Sequence, residues 1–451
     1  MIVTPPLPQS SGTLRNFSRS TQRWRFIAVF VIAPILPHPV FPEDVELRLN
    51  SFPPDTEVSL VSPGNGRYRR VLEAEGREDR WRVFPAVPDT AVIELRAPGY
   101  APRRIHLAAA TVRDEVVSIE ERLIPEGGPL SLVAEAPSGA SPKSVAFIGH
   151  DRLVVPLLRG DGADLYRIVE DRWGGVTLER TGRLDPPPEF VAETGFVEPL
   201  VLPRTGEIWV SQMNAATVHR FDGTDGNHLG SYPSGGGWPK VLAPDPEERT
   251  IWVANWSGEN VVRIDRRSGR ILDSIDLDGQ PRGIAVRDEG RTLWVCIFSS
   301  GEVVRVDTVA GRVTYRIGPD VGAARHIVPS PRSRMLYFSD MYHGTVNVLD
   351  PVERTVIASR QVGINVNTIA FDPEGRFLFV SERGRNNREN YLLPGPEFGR
   401  IIVLDPETLE PIQEIYGRHQ PTGLAVSPDG RYLAATDFLD DNVALYRLNR
   451  E

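Results

Sequence analysis

Gln280-Pro281-Arg282-Gly283-Ile284-Ala285-Val286, then Asp288-Glu289-Gly290, then Thr292-Leu293-Trp294-Val295, is one copy of a phrase that recurs from Ser141 to Leu448. Each copy has a polar or small turn, an apolar strand, an acidic or glycine turn, and a second apolar strand carrying a large ring. A later copy reads Gln420-Pro421-Thr422-Gly423-Leu424-Ala425-Val426, Pro428-Asp429-Gly430 and Tyr432-Leu433-Ala434. The ring or its aliphatic substitute falls at Val154, Trp209, Trp252, Trp294, Tyr337, Phe379 and Leu433, in steps of 55, 43, 42, 43, 42 and 54 residues. A four-stranded unit repeating every 40–45 residues or so marks a β-propeller blade. The chain ends just after Val443–Leu448, the third strand of a blade, so the last blade lacks its outer strand. Leu130–Glu135, an orphan strand ahead of the first full repeat, is expected to supply it and to close a ring of seven blades. Closure from both ends removes the exposed edges an open sheet would present.

Composition agrees with an all-β reading. The 451 residues include 40 Gly and 40 Pro, as many short strands and tight turns require. A net charge of −9 argues against non-specific nucleic-acid binding, which needs a basic footprint. The single cysteine, Cys296, lies in the apolar strand of Trp294 and reads as a buried, inert thiol.

Residues 1–42 read as an export leader or N-terminal anchor. Arg15, Arg19, Arg23 and Arg25 precede the apolar run Phe26–Leu36, the order of a signal peptide. The run is short of the roughly 20 residues of a membrane span and is followed by Pro37 and Pro39. Cleavage, retention as an anchor, and a translation start near Leu14 all stay open. Residues 43–125 lack the repeat. Val45–Leu49 and Glu57–Val61 alternate as half-buried strands, and two more strands are expected in Ala91–Tyr100 and Arg104–Leu107.

Phe52-Pro53-Pro54-Asp55-Thr56-Glu57-Val58 and Ala97-Pro98-Gly99-Tyr100 in residues 43–125 resemble PEGA domains, small β-sandwiches of exported bacterial proteins. From about residue 199 the blades resemble YVTN-type repeats, a subgroup of lactonase-like propellers. Ile251-Trp252-Val253-Ala254-Asn255 with Val261–Asp265, and Leu378–Ser381 with Ile401–Asp405, carry that likeness. The resemblance implies a seven-bladed propeller over 126–451 preceded by a small β-sandwich. It leaves function open, because such scaffolds host binding proteins, lactonases and redox enzymes.

Loops where innermost strands begin and second strands end form the usual mouth of a propeller. The repeat places Lys143, Pro199, Lys240, Arg282, Arg325, Asn367 and Thr422 at the first of these positions, with His326 beside Arg325. So many cations around one axis of an acidic chain favour an anionic ligand. Pairing with Asp340, Glu382 and Asp437 is the alternative. At the second position stand Leu158, Met213, Trp256, Phe298, Met341, Arg383 and Phe438; Phe298 and Phe438 read as packing, Trp256 as a contact residue. Both long steps come from insertions on this face: Asp185–Glu198, and Arg383–Arg400, whose Arg385, Asn386 and Asn387 are donors suited to carboxylate, phosphate or glycan.

Catalytic signals are weak. No His-x-x-x-His, Cys-x-x-Cys or Gly-x-Ser-x-Gly occurs. Gly235-Gly236-Gly237 reads as a turn. No metal or cofactor is expected. The candidate ligand-binding set is Lys143, Lys240, Trp256, Arg282, Arg325, His326, Asn367, Glu382, Arg383, Arg385, Asn386 and Asn387. The expected function is an exported, monomeric, non-catalytic binding protein whose partner is a protein or anionic polymer of the cell envelope. A lactonase-like hydrolase with Glu382, Asp340 or His326 as base, and a purely structural envelope or surface-layer module, are the alternatives.

Overall fold

The computed structural model describes residues 126–449 except 320, 396 and 397, together with Leu123 and short segments between 45 and 119. The expected leader lies outside the described residues. Among the described residues no helix is long and apolar enough to cross a membrane.

Seven four-stranded antiparallel sheets succeed one another from residue 130 to residue 448, each with its strands in sequence order except the last. The third blade shows the pattern: Pro239–Pro244 innermost, then Thr250–Asn255, Asn260–Asp265 and Ile271–Asp276 at the rim. In the seventh, Pro421–Val426, Tyr432–Asp437 and Asn442–Leu448 are followed outward by Leu130–Pro137. That strand pairs antiparallel with Asn442–Leu448 from Pro137 to Leu130. The ring is therefore closed by chain from both ends.

The strands form where the sequence places β-branched and ring residues at alternate positions. Second strands lie between their neighbours on both edges and both faces, so they are buried throughout; Thr250–Asn255 and Thr292–Ile297 are examples. Trp209, Trp252, Trp294, Tyr337 and Phe379 are all buried on such strands, and the core lies between adjacent blades. Trp252 packs with Ile284, Leu293 and Val295 of the next blade, and Trp294 with Ile327, Leu336 and Phe338 of the one after. In the seventh blade the register corrects the sequence reading. Ala425 pairs with Ala434 as Ala370 pairs with Phe379, so Ala434 and not Leu433 is the counterpart of the ring. Near the axis the innermost strands touch. A Cβ on Gly283 would lie 2.9 Å from the Ile327 nitrogen, and one on Gly423 would lie 2.6 Å from Ser144 Cα. Only glycine permits that approach of backbone to backbone.

Ahead of the propeller stand two further four-stranded sheets. One orders Arg80–Val83, Val45–Leu49, Val116–Ile119 and Thr111–Arg113, with Val45–Leu49 parallel to Val116–Ile119. The other orders Arg69–Val71, Glu57–Val61, Val92–Arg96 and Arg103–His106. The strands at 45, 57, 92 and 103 match those expected from sequence; the other four are only three or four residues long. Val58, Ile93 and Leu95 are buried. Glu94 is buried too, because Arg96 and Arg104 bond its carboxylate at 2.6 and 2.8 Å. The hydrogen bond from Arg96 holds it down to about 2. The Tyr100 hydroxyl donates to the Glu414 carbonyl at 2.7 Å, tying this region to the sixth blade.

Leu130 is fully buried among Phe379, Ile401, Ile415 and Leu448, at the heart of the closing contact. Leu130→Ala is expected to lower the unfolding free energy by about 2–5 kcal/mol in urea titrations of the whole chain. Val309→Ala, at an exposed turn, is expected to change it by less than about 0.5 kcal/mol. Equal effects from the two would show that the closing strand does not carry the ring.

Candidate functional site: a cation-lined mouth

Two backbone devices build the mouth. Every innermost strand from the second blade to the seventh has a register shift near its start, between Phe196 and Pro199, Pro239 and Leu242, Pro281 and Ile284, Ala324 and His326, Val366 and Ile369, and Pro421 and Leu424. A bulge inserts an unpaired residue and re-aims its side chain. Lys240, Arg282, Arg325, Asn367 and Thr422 sit in these shifts. In the second blade Pro199 pairs with Val210 as Leu242 pairs with Val253. Val197 therefore occupies the position assigned to Pro199 from sequence, a slip of two residues.

The second device recurs in all seven blades. In the second to seventh blades the residue after the second strand donates its N–H to the carbonyl of the residue that precedes the innermost strand, and in the first blade Leu158 and Ser141 make the same bond next to the isolated Pro142–Leu157 bridge. The bonds run from Leu158 to Ser141, Met213 to Gly195, Trp256 to Trp238, Phe298 to Gln280, Met341 to Ala323, Arg383 to Asn365 and Phe438 to Gln420, at 2.7–3.4 Å. Ser141, Trp238, Asn365 and Gln420 reach that bond with positive φ, as does Gly195. For Trp238, at φ 53°, the left-handed backbone is costly for a bulky side chain.

These devices bring five cations together. Lys240, Arg282, Arg325 and Arg383 are each no more than 7 % exposed, and Lys143 is half-buried beside them. Burial pulls Lys143 well below the usual lysine range, helped by the charges of Arg383, Arg325, Arg282 and Lys240. Lys240 is lowered the same way, by burial and then Arg282. Burial lowers Arg325 and brings Arg383 down to about 10. Among the described residues one carboxylate stands against them, Glu198, 3.2 Å from the Arg282 guanidinium. Glu198 was legible only as the end of an insertion.

The remaining partners are neutral. Arg325 Nε donates to Asn367 Oδ1, and Arg383 Nη2 to Gln420 Oε1. Lys240 Nζ lies 3.0 Å from the Met213 sulfur, and Lys143 Nζ lies 4.7 Å above the Phe438 ring. Asn367 Nδ2 and Arg383 Nε are buried donors with no hydrogen-bond partner. His326 is lowered to about 4 by burial, so it is neutral at pH 7 and adds no charge. Its Nδ1 also has no partner.

The carboxylates proposed as partners of the basic ring have other bonds. Asp340 lies 3.2 Å from His343 and accepts from the N–H groups of Ala323, Tyr342 and His343. Glu382 pairs with Arg400 at 3.1 Å and accepts from the Ile364 N–H. Asp437 accepts from Asn442 and from the Arg418 N–H. The sixth-blade insertion folds over the mouth. Gln420 Nε2 donates to the Tyr391 carbonyl at 2.7 Å and to Asn386 Oδ1 at 3.4 Å. Asn387 is taken up inside the loop, bonding the Pro394 carbonyl and the Glu389 N–H, and Arg385 is exposed. Trp256 is half-buried and stacks on Trp238 at 5.4 Å and 12°, with Phe298 at 6.1 Å on a tilt. Phe438 is fully buried, whereas Phe298 is not. Gly235–Gly237 is a packed turn: a Cβ on Gly237 would meet Ser257 Oγ at 2.3 Å.

Among the described residues no group of three His, Cys, Asp or Glu side chains is placed to hold a metal ion. What the mouth can do chemically is take up negative charge. Each buried cation without a counter-charge carries a desolvation cost of several kcal/mol, which an anion would offset.

Fold and site together define a seven-bladed β-propeller protein with a cation-lined mouth. The chain belongs to the family of the antigen Lp49 of Leptospira interrogans, to which it is 33 % identical over 377 residues, covering 81 % of this chain and 80 % of that protein. Among solved structures it superposes on the hydrazine synthase of Kuenenia stuttgartiensis with a TM-score of 0.57, over 70 % of this chain and 98 % of the other. At 16 % identity that likeness shows the propeller fold alone. No protein-family model matches the chain.

The buried ammonium groups set a pH dependence. Lys240 binds its proton less well folded than unfolded, so the unfolded chain holds more protons between its lowered value and the ordinary one near 10.5. Stability of the ligand-free protein therefore rises with pH through that window. Lys240→Met removes the charge and is expected to raise the melting temperature at pH 7 by about 2 °C or more, an advantage that shrinks towards pH 10. A lower melting temperature at pH 7 would mean that Lys240 is compensated.

Proposed function

We propose that this protein is an exported binding protein whose propeller mouth grips an anionic group on a partner in the cell envelope. The observation that carries the reading is the imbalance, among the described residues, of five cations around the carboxylate of Glu198, with two buried donors left unused. A ring this costly to the free fold is accounted for by a ligand that supplies the missing charge. The two insertions on the same face supply further polar contacts, as functional loops on a rigid scaffold do. The basic leader followed by an apolar run supports export, and so does the name antigen borne by the leptospiral relative. The resemblances to YVTN-type repeats and to PEGA domains fit the same setting, with the N-terminal region as a spacer or attachment unit. The hydrolase reading is less favoured because Asp340 and Glu382 are tied to His343 and Arg400 and the mouth itself is dominated by donors.

The test is binding of a polyanion such as heparin or polyphosphate to the purified chain, beside the variant Arg282→Met with Arg325→Met. The variant is expected to fold and to lose at least tenfold in affinity at low salt. The unmutated protein's binding is expected to weaken steeply as salt rises. Equal affinity of the two proteins would remove the mouth from the reading. Release of ring-opened acid from a lactone by the unmutated chain would favour the hydrolase.

A further inference from the structure

Resting on the anion-site reading, we infer that the mouth takes a phosphorylated saccharide, with the sugar ring against the Trp238–Trp256 stack and the phosphate among the cations. Three observations point there.

The first is the donor count. Lysine ammonium groups carry three N–H each and guanidinium groups five, and none of them can accept. A carboxylate offers two oxygens, whereas a phosphate ester offers three strong acceptor oxygens and close to two charges. Two further atoms waiting in the mouth, Asn367 Nδ2 and Arg383 Nε, are buried and unpartnered donors. Asn367 has no freedom to turn its oxygen inward, because that oxygen already accepts from Arg325. The ligand atoms that face these groups are therefore acceptors, and several are needed.

The second is the distance between platform and charge. Lys240 Nζ lies 5.4 Å from the Trp238 ring centre and 6.0 Å from that of Trp256, and it shares the field of Arg282 and Arg325. One ammonium group thus borders both the aromatic pair and the cation cluster. A ligand that uses both must carry its charge within about one ring of an apolar face. A pyranose with a phosphate on it has that size, and aromatic faces stack on the C–H face of sugars as they do on other apolar surfaces.

The third is strain. Trp238 holds a left-handed backbone at φ 53° at the one position of the ring where an indole, rather than a small or polar residue, takes it. Strain of this kind persists where the surroundings impose it, and it clusters at ligand clamps. Here it sets Trp238 flat on Trp256, with 12° between the planes.

The test uses titration calorimetry on the full chain with four probes at matched ionic strength: glucose 1,6-bisphosphate, pyrophosphate, glucose and phosphoserine. Glucose 1,6-bisphosphate is expected to bind at least tenfold more tightly than pyrophosphate or phosphoserine, and glucose not measurably. Trp256→Ala, or Trp256→Leu if the alanine variant is unfolded by circular dichroism, is expected to abolish that tenfold preference. Equal affinity for bisphosphate and pyrophosphate, or a preference that survives loss of the indole, overturns the saccharide inference while the anion site stands. Tighter binding of phosphoserine points to a phosphorylated protein and overturns it too. If no phosphate probe binds, the anion-site reading falls with it.

Discussion

Pairing of Leu130–Pro137 with Asn442–Leu448 joins the two ends of the propeller, and the other blades rely on that join. Each blade buries its second strand only because a neighbour lies on both faces, so an open ring would expose the faces of two blades. Around the pairing, Gln413 bonds the Leu130 N–H and the Gly127 and Leu130 carbonyls, Tyr166 bonds the Pro137 carbonyl, and Asp441 bonds the Ser141 N–H. The seam thus draws on the first, sixth and seventh blades together. It is an ordinary antiparallel ladder, and its importance comes from topology: it is where a non-local contact spans the whole length of the ring.

A closed, rigid ring makes the mouth feasible. Five cations beside Glu198 repel one another, and on a pliable scaffold they would swing apart into water. Here the bulged starts of the innermost strands fix where each side chain leaves the backbone. The seven N–H to carbonyl bonds fix the loops above them. The repulsion is held by blade packing, in which buried tryptophans of one blade lie against aliphatic side chains of the next. Stability of the scaffold and charge at the mouth are therefore opposed, a familiar arrangement where a site is selected for binding rather than for folding.

The mouth is graded in chemistry from the axis outward. Close to the axis are cations with neutral partners; beside them lies the aromatic group of Trp238, Trp256 and Phe298; over the sixth blade lies the polar insertion anchored by Gln420. Exposed Val321, Tyr342, Ile364 and Leu393 sit in loops of the fifth and sixth blades on this same face. A small anion would use the centre alone, while a larger partner would also meet the rim.

Much of this was legible in the sequence. The period of 42–43 residues through the central blades fixed the blade unit, because one blade needs four strands of set length and their turns. The missing last strand and the orphan at Leu130 fixed the closure, because a blade with an open edge must find a partner. The basic positions Lys143, Lys240, Arg282 and Arg325 were also legible, since they recur at one place in the repeat. Tertiary structure alone decided the rest. Whether those cations meet carboxylates depends on which side chains the ring brings within reach, and Asp340 and Glu382 were drawn to His343 and Arg400. Glu198 and Trp238 carry no motif, and Gln420, which opens a copy of the repeat, shows nothing in the sequence of its bond to Arg383. Strand register moved the second blade's position from Pro199 to Val197 and the seventh blade's anchor from Leu433 to Ala434, and because the same bulge recurs in every blade from the second to the seventh it causes neither difference. Sequence sets strand count and spacing through local turn and pleat geometry; the charge balance of the mouth is a sum over residues far apart in the chain, and only closure of the ring adds them together.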